Sequence, residues 1–501
     1  MPTNPLSPRR SLRIAVIGAG PGGLCTAIAL DRAGFHDYTI YEKASGVGGT
    51  WYHNRYPGCA CDVASSLYSF SFEPKLDWKR PFGGQAEILA YLDGIATKYG
   101  IRPHCRFDAE VKQLEWDSDG ARWQLTLASG ERAEAEIVVS ALGMFNELAW
   151  PDIEGRDRFE GVAFHSARWD GDHDLTGQRV GVIGSAASAV QLVPEIAKQA
   201  AHVSLFQRTA NWVLPKQDTP YTEAEITAHC ADPQLFARER EEHYRFLDEL
   251  MTMANPELLA KMAAEGSKAL DLVRDPAVRE KLRPQHPYGC KRPLLSNDFY
   301  PAFNRPNLVL VTEPIERITA DAVVTTDGRI RRFDTLIYAT GFATTKYLSA
   351  LDVRGRAGKR IDDAWNDGAI AYLGITTAGF PNLFMLYGPN TNNGSILEMI
   401  ESQVAHVLAQ VERIEQEGLA WIDVRPEAML RDAEETQRLI GRVPVWQASC
   451  NGYYRAPSGR IVTQWPGSMS SYKARTQTLD REAFEVGRLD PTTGQPTTTA
   501  R

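Results

Sequence analysis

Residues 12–23 read LRIAVIGAGPGG, and this stretch decides the fold. Leu12–Ile17 is a short apolar run that stops at Gly18, the pattern of a buried parallel strand running into a tight turn. Gly18, Gly20 and Gly23 form G-x-G-x-x-G. In this motif the first glycine makes the turn, the second lets the backbone approach a pyrophosphate, and the third allows close helix packing. An Ala-rich helix is expected over Leu24–Leu30 and a second strand over Tyr38–Tyr41. That order is the β-α-β unit of a doubly wound α/β sheet. Glu42 ends the second strand, where a carboxylate accepts hydrogen bonds from both hydroxyls of a ribose.

The same grammar returns about 165 positions later. Arg179–Ile183 reads as a strand, Gly184–Ala189 as a turn, Ala189–Gln199 as a helix and Val203–Phe206 as a strand. Ala186 and Ala189 stand where the second and third glycines would be, and Ala at the second position leaves less room for a phosphate. The charge at the end of the following strand is reversed. Glu42 lies 24 residues after Gly18, and Arg208 lies 24 residues after Gly184. A carboxylate suits bare ribose hydroxyls and repels a 2′-phosphate, whereas a guanidinium binds that phosphate with two hydrogen bonds. The pairing predicts FAD in the first unit and NADPH in the second, with Ser185, Ser188 and Thr209 beside the second loop. The fold class is α/β, with two Rossmann-like dinucleotide-binding domains.

Outward from these units, Val111–Leu127 with Ile137–Ala141 reads as a small β-meander returning to the first sheet. Residues 216–290 change to a helical composition, with Tyr244, Leu247, Leu250 and Met251 on one helix face. This is expected to be a helical insertion, its Met-rich end either core or a wall of the substrate site. Strand runs return from Asn307. The expected layout is an FAD domain over 12–145 and 341–480 and an NADP domain over 146–215 and 291–340, with flexible tails at 1–11 and 481–501. Lys and Arg number 55 against 63 Asp and Glu, a net charge of −8 that argues against a nucleic-acid partner. No apolar run is long enough to span a membrane, and the first ten residues lack the apolar core of a secretory signal. Seven cysteines, an odd number, favour reduced thiols and a cytoplasmic location. Cys59 and Cys61 have C-x-C rather than C-x-x-C spacing, and no cluster has metal-site spacing.

Two longer patterns are more specific than either loop. FEGVAFHSARWD fits F-x-G-x-x-x-H-x-x-x-W-[P/D] through Phe159, Gly161, His165, Trp169 and Asp170. GGTWYHNRYPGCACD fits [A/G]-G-x-W-x4-[F/Y]-P-[G/M]-x3-D through Gly48, Gly49, Trp51, Tyr56, Pro57, Gly58 and Asp62. In both, and in YATGF at 338–342, the chain resembles the type I Baeyer–Villiger monooxygenases. The A-S-A ending of the second loop and FSFEPKLDWKRPF at 70–82 look closest to the 4-hydroxyacetophenone monooxygenase branch.

The resemblance implies an NADPH- and O2-dependent flavin enzyme that converts ketones to esters or lactones through a C4a-peroxyflavin. Arg292, in GCKRP, matches the family's active-site arginine, and Asp62 the carboxylate that orients it. Lys291 matches a ligand of the NADP phosphate. Trp51, Arg55, Tyr68 and Val111 fall where the family contacts FAD. Trp51 and Tyr68 would flank the flavin ring or serve as plain core aromatics. His165 is given a structural or conformational role near the interdomain hinge, and Tyr453 is the nearest counterpart of a mobile lid residue. The expected partner is a small-molecule ketone, with the protein a monomer or homodimer. Oxygenation of nitrogen or sulfur, or flavin reduction without oxygen insertion, are the competing readings.

Overall fold

A computed structural model describes residues 12–449 and 452–490. Two five-stranded parallel sheets organise it. In the first, the order is Leu383–Met385, Ile137–Ser140, Ile14–Ile17, Tyr38–Tyr41 and Cys105–Arg106. In the second, it is Leu308–Val311, His202–Phe206, Arg179–Ile183, Thr335–Tyr338 and Val162–His165. The central strands are apolar because both faces are covered: every residue of Ile14–Ile17 and Ile137–Ser140 is buried. Registers run without bulges, Ile14 beside both Tyr38 and Ile137, and Arg179 beside His202.

Each glycine loop leads into a helix, Pro21–Ala33 in the first unit and Ala187–Ile196 in the second. The second helix starts two residues before the expected Ala189. Ala186 takes up an extended N-cap conformation much like that of Gly20. The long helix Ile396–Gln416 packs against Pro21–Ala33.

The helical segment consists of Glu223–Ala231, Pro233–Leu250, Pro256–Leu270 and Pro276–Lys281. Its starts are written locally. Thr222 forms a capping box with Glu225, and Asp232, Asn255 and Asp275 each cap a helix whose first residue is proline. Met251 and Met253 pack with Trp446, Tyr454 and Ile461, so the Met-rich end is core rather than a cavity wall.

Two segments carry the chain between the sheets. They pair antiparallel, Ala149 N donating to Gly341 O at 2.9 Å and Ala343 N to Glu147 O at 2.9 Å.

Two expectations fail. Residues 481–490 are not a tail: Phe484–Arg488 pairs antiparallel with Leu419–Val424, and Phe484 is buried. The apolar Phe484 and Val486 in FEVGR gain cover by joining an edge that is contributed from far away in sequence. The remaining tail expectations, 1–11 and 491–501, lie outside the described residues. Nor are all thiols reduced. Cys25, Cys59, Cys61, Cys105 and Cys230 are free, but Cys290 is disulfide-bonded. Folding buries Cys290 against a segment 158 residues away, its Sγ 3.8 Å from Ala448 O, a proximity that spacing does not reveal.

Candidate active site

The C-terminal ends of both sheets open into one cavity of ≈ 980 Å³. Ligands of doubly wound folds lie at this edge of the sheet. Gly18 (φ +106°) and Gly184 (φ +108°) turn the chain at its two entrances. A Cβ on Gly18 would lie 2.9 Å from Ala141 O, and one on Gly184 would lie 2.3 Å from Ala339 O. Neither following helix has a side-chain cap, so its first N–H groups are left for an anion at Gly20–Gly22 and Ala186–Ser188, which line the cavity. This cradle, with Glu42 at its edge, fits the diphosphate and ribose of FAD. Glu42 is buried and held rigid: Oε2 accepts from Ala19 N at 2.7 Å and Oε1 from Ala44 N at 2.8 Å. Val111 also lines this end. Gly23 does not line the cavity. A Cβ there would stand 2.0 Å from Gly18 O, so its role is helix packing.

At the second entrance, Ser185, Ser188, Arg208, Thr209 and Lys291 line one rim. Arg208 is exposed and Lys291 half-buried. Among the described residues neither has a carboxylate within ion-pair distance. Burial, and secondarily the charge of Arg208, push the Lys291 ammonium below its ordinary range. Two neighbouring cations without an acid are a donor set suited to a phosphate dianion.

Between the entrances stands Arg292. Its Nε donates to Asp62 Oδ2 at 3.0 Å, and its Nη2 lies 2.9 Å from the same oxygen. Asp62 raises the guanidinium above its usual range, outweighing the opposing effect of burial. Trp51 and Tyr68 are buried in the wall, with Trp51 Nε1 donating to Tyr68 Oη at 3.0 Å and the rings edge-on at 5.7 Å. Tyr453 lies close by, its Oη accepting from Asn392 Nδ2 at 3.5 Å and its carbonyl from Thr344 Oγ1 at 3.1 Å.

Arg55 is not brought in. Its side chain is exposed, its guanidinium lies 4.6 Å from the Tyr52 ring centre, and its Nε donates to Tyr52 O. A cation keeps its hydration there while covering an aromatic face. Phe159, Gly161, His165, Trp169 and Asp170 also lie off the cavity. A Cβ on Gly161 would meet the Phe159 ring at 2.6 Å. His165 Nδ1 accepts from Ala167 N at 3.1 Å, and its ring packs against Trp150 and Phe342 on the two connecting segments. Trp169 stands edge-on to Phe164 at 5.1 Å, and Asp170 accepts from Asp172 N at 3.1 Å.

Several wall residues escaped sequence reading. Tyr387 and Asn392 are joined by a hydrogen bond beside Arg292 and come from LYGPNTNNG, 386–394. A run of turn-formers ahead of a long helix was the available signal. Gln191 gave no signal at all.

The family model described as pyridine nucleotide-disulphide oxidoreductase matches residues 15–233. A protein of Streptomyces coelicolor named Baeyer-Villiger monooxygenase is 40% identical over 488 residues, 96% of this chain and 93% of its own. One of the same name from Pseudomonas aeruginosa is 40% identical, covering 95% and 92%. The solved structure of OTEMO in complex with FAD and NADP matches with a TM-score of 0.85 at 30% identity, over 96% of this chain and 100% of that one. This chain belongs to the Baeyer–Villiger monooxygenase family.

Proposed function

We propose that the chain uses FAD, NADPH and O2 to convert a ketone to an ester or lactone. The balance is ketone, O2, NADPH and a proton giving ester, water and NADP+. The observation that carries this reading is the Asp62-held guanidinium of Arg292 in the cavity where the two glycine loops converge. When bound and reduced, the flavin supplies the activated oxygen.

The protein supplies positioning and charge. Gly18, Gly20 and Glu42 hold the FAD diphosphate and ribose, while Trp51, Tyr68 and Val111 shape the pocket around it. Gly184, Ser185, Ser188, Arg208, Thr209 and Lys291 hold NADPH, with the cations on the 2′-phosphate. Arg292 stays charged at every working pH. It stabilises an oxygen nucleophile and then the oxyanion formed when that oxygen attacks the carbonyl. Asp62 fixes the guanidinium through its Nε–Nη2 edge, and Tyr453 shares a further hydrogen bond with it. An electrophilic oxygen transfer to nitrogen or sulfur needs the oxygen donor protonated and neutral, and a fixed cation at the centre disfavours that protonation. Phe159, Gly161, His165, Trp169 and Asp170 brace the crossing between the two units. We take the partner to be a small-molecule ketone and the enzyme to act as a monomer or homodimer.

The test is a screen of the flavin-loaded enzyme with NADPH against cyclic, aromatic, long-chain and polycyclic ketones. Product mass should rise by one oxygen, and Arg292→Ala should lower ester formation by about 100- to 1,000-fold. NADPH consumption that yields only hydrogen peroxide with every ketone refutes the reading. Undiminished ester formation in Arg292→Ala refutes the role of the cation.

A further inference from the structure

The Tyr56–Asp62 segment belongs to the first unit, yet a helix of the second unit grips it. Tyr56 Oη donates to Gln191 Oε1 at 2.9 Å, and Gln191 Nε2 donates to Ala60 O at 2.9 Å. Between these bonds Gly58 sits at φ +78°, where a Cβ would lie 2.7 Å from Gln191 O. The two backbones therefore touch with no room for a side chain. On the opposite side, Cys61 N donates to Gly83 O at 2.9 Å and Ala60 bridges Gly84. Residues 59–61 are thus a strap between the first unit and the helix Ala187–Ile196.

Asp62 is the next residue of the strap, and it holds Arg292. At the other end, Gln191 lies one turn into a helix that begins directly after Ala186 of the second loop. Ser188, in the first turn of that helix, shares a hydrogen bond with Tyr56. A displacement of the loop therefore has a short, bonded route to the carboxylate. Side chains that bridge packed elements in two discrete ways are the physical carriers of coupling between sites. Both ends of the Gln191 amide are engaged by protein groups, Tyr56 and Ala60, on the segment that leads to Asp62.

We propose that Gln191 is a positioning residue: it makes the geometry of the Asp62–Arg292 pair depend on where the second nucleotide loop sits. A dinucleotide bound at that loop then sets the cation at the reacting centre. This rests on the reading of the second unit as the NADPH site and of Arg292 as the catalytic cation.

The test uses FAD-loaded enzyme. Gln191→Met keeps the side-chain length and removes both bonds, while Tyr56→Phe removes one. NADP+ affinity, which needs no turnover, is measured by calorimetric titration for wild type, Q191M, Asp62→Asn and the double variant. Asp62→Asn should change affinity about tenfold in the wild-type background and less than about twofold in Q191M. Effects that combine additively within about twofold overturn the proposal. In turnover, Q191M should divert NADPH oxidation to hydrogen peroxide, lowering product per NADPH about fivefold while flavin content is kept. Wild-type product yield accompanied by a lowered Tm marks Gln191 as purely structural and overturns the proposal. If Q191M fails to retain FAD, Tyr56→Phe carries the same cycle. A wild-type enzyme that oxygenates no ketone defeats the functional reading alone, and the titration still decides the coupling.

Discussion

The two glycine loops have nearly the same backbone and are built with different amounts of room. In the first, Gly23 is pressed against Gly18 O, and an added methyl would stand 2.0 Å from it. In the second, Ala189 occupies that place and its methyl is fully buried without displacing the turn. The strand ends differ in sign as well, with a buried Glu42 in one and an exposed Arg208 backed by Lys291 in the other. The comparison teaches that one backbone makes two anion sites that differ in tightness and in the charge beyond them, and on the proposed reading that charge chooses the dinucleotide.

Five changes test this contrast. The largest effect is expected from Gly23→Ala, which forces the helix away from the turn and should cost about 3 kcal/mol or more, with loss of bound flavin. Ala189→Gly in the second unit should cost only about 1 kcal/mol, the ordinary helix penalty. Comparable losses of Tm and flavin content in the two variants would erase the difference in tightness.

Arg208→Ala should raise the KM for NADPH by about 10- to 100-fold, the loss of a charged hydrogen-bonding pair, and leave NADH use nearly unchanged. An equal loss with both coenzymes in steady-state kinetics would remove the 2′-phosphate from the argument.

Each unit also encloses an imidazole, His53 half-buried in the first and His165 buried in the second. Burial lowers both His53 in the first and His165 in the second from 6.5 to about 4. A base depressed in the folded state contributes stability above its unfolded pKa, and that stability is lost as pH falls from 6.5 through about 4. His165→Asn keeps an acceptor for Ala167 N–H and should reduce proton uptake on unfolding by about one over that window, leaving the contribution of His53. Denaturation curves across this pH range measure it, and an unchanged slope would show that His165 carries no such linkage.

The smallest expected effect is from Ala186→Gly. Removing the methyl that narrows the second loop should tighten NADPH binding by about threefold, well under 1 kcal/mol. Unaltered affinity would mean that the phosphate does not approach the loop at that position.

Much of the site was legible because its signals are local. Gly18, Gly20 and Gly184 stand where spacing places them, and Glu42 and Arg208 were found by counting along a strand. Asp62 closes one of the longer patterns, and Lys291 and Arg292 were picked out only through the family resemblance. Arg55 lies outside the cavity wall: a motif position does not say which way a flexible cation turns, and the Tyr52 ring offers an outward resting place. Phe159, Gly161, His165, Trp169 and Asp170 are legible as a pattern, yet they pack away from the cavity.

The amino-acid order by itself determined two β-α-β units, their opposite end charges and the helix caps, because turns, caps and strand periodicity depend on neighbours within a few residues. Only the tertiary structure decided that Gln191 grips the strap leading to Asp62, that Tyr387 and Asn392 stand beside Arg292, that Phe484–Arg488 joins Leu419–Val424, and that Cys290 is buried against a distant segment. These contacts join residues tens to hundreds of positions apart. They exist because burial of apolar surface closes the chain around one cavity, and no local spacing encodes which groups then meet.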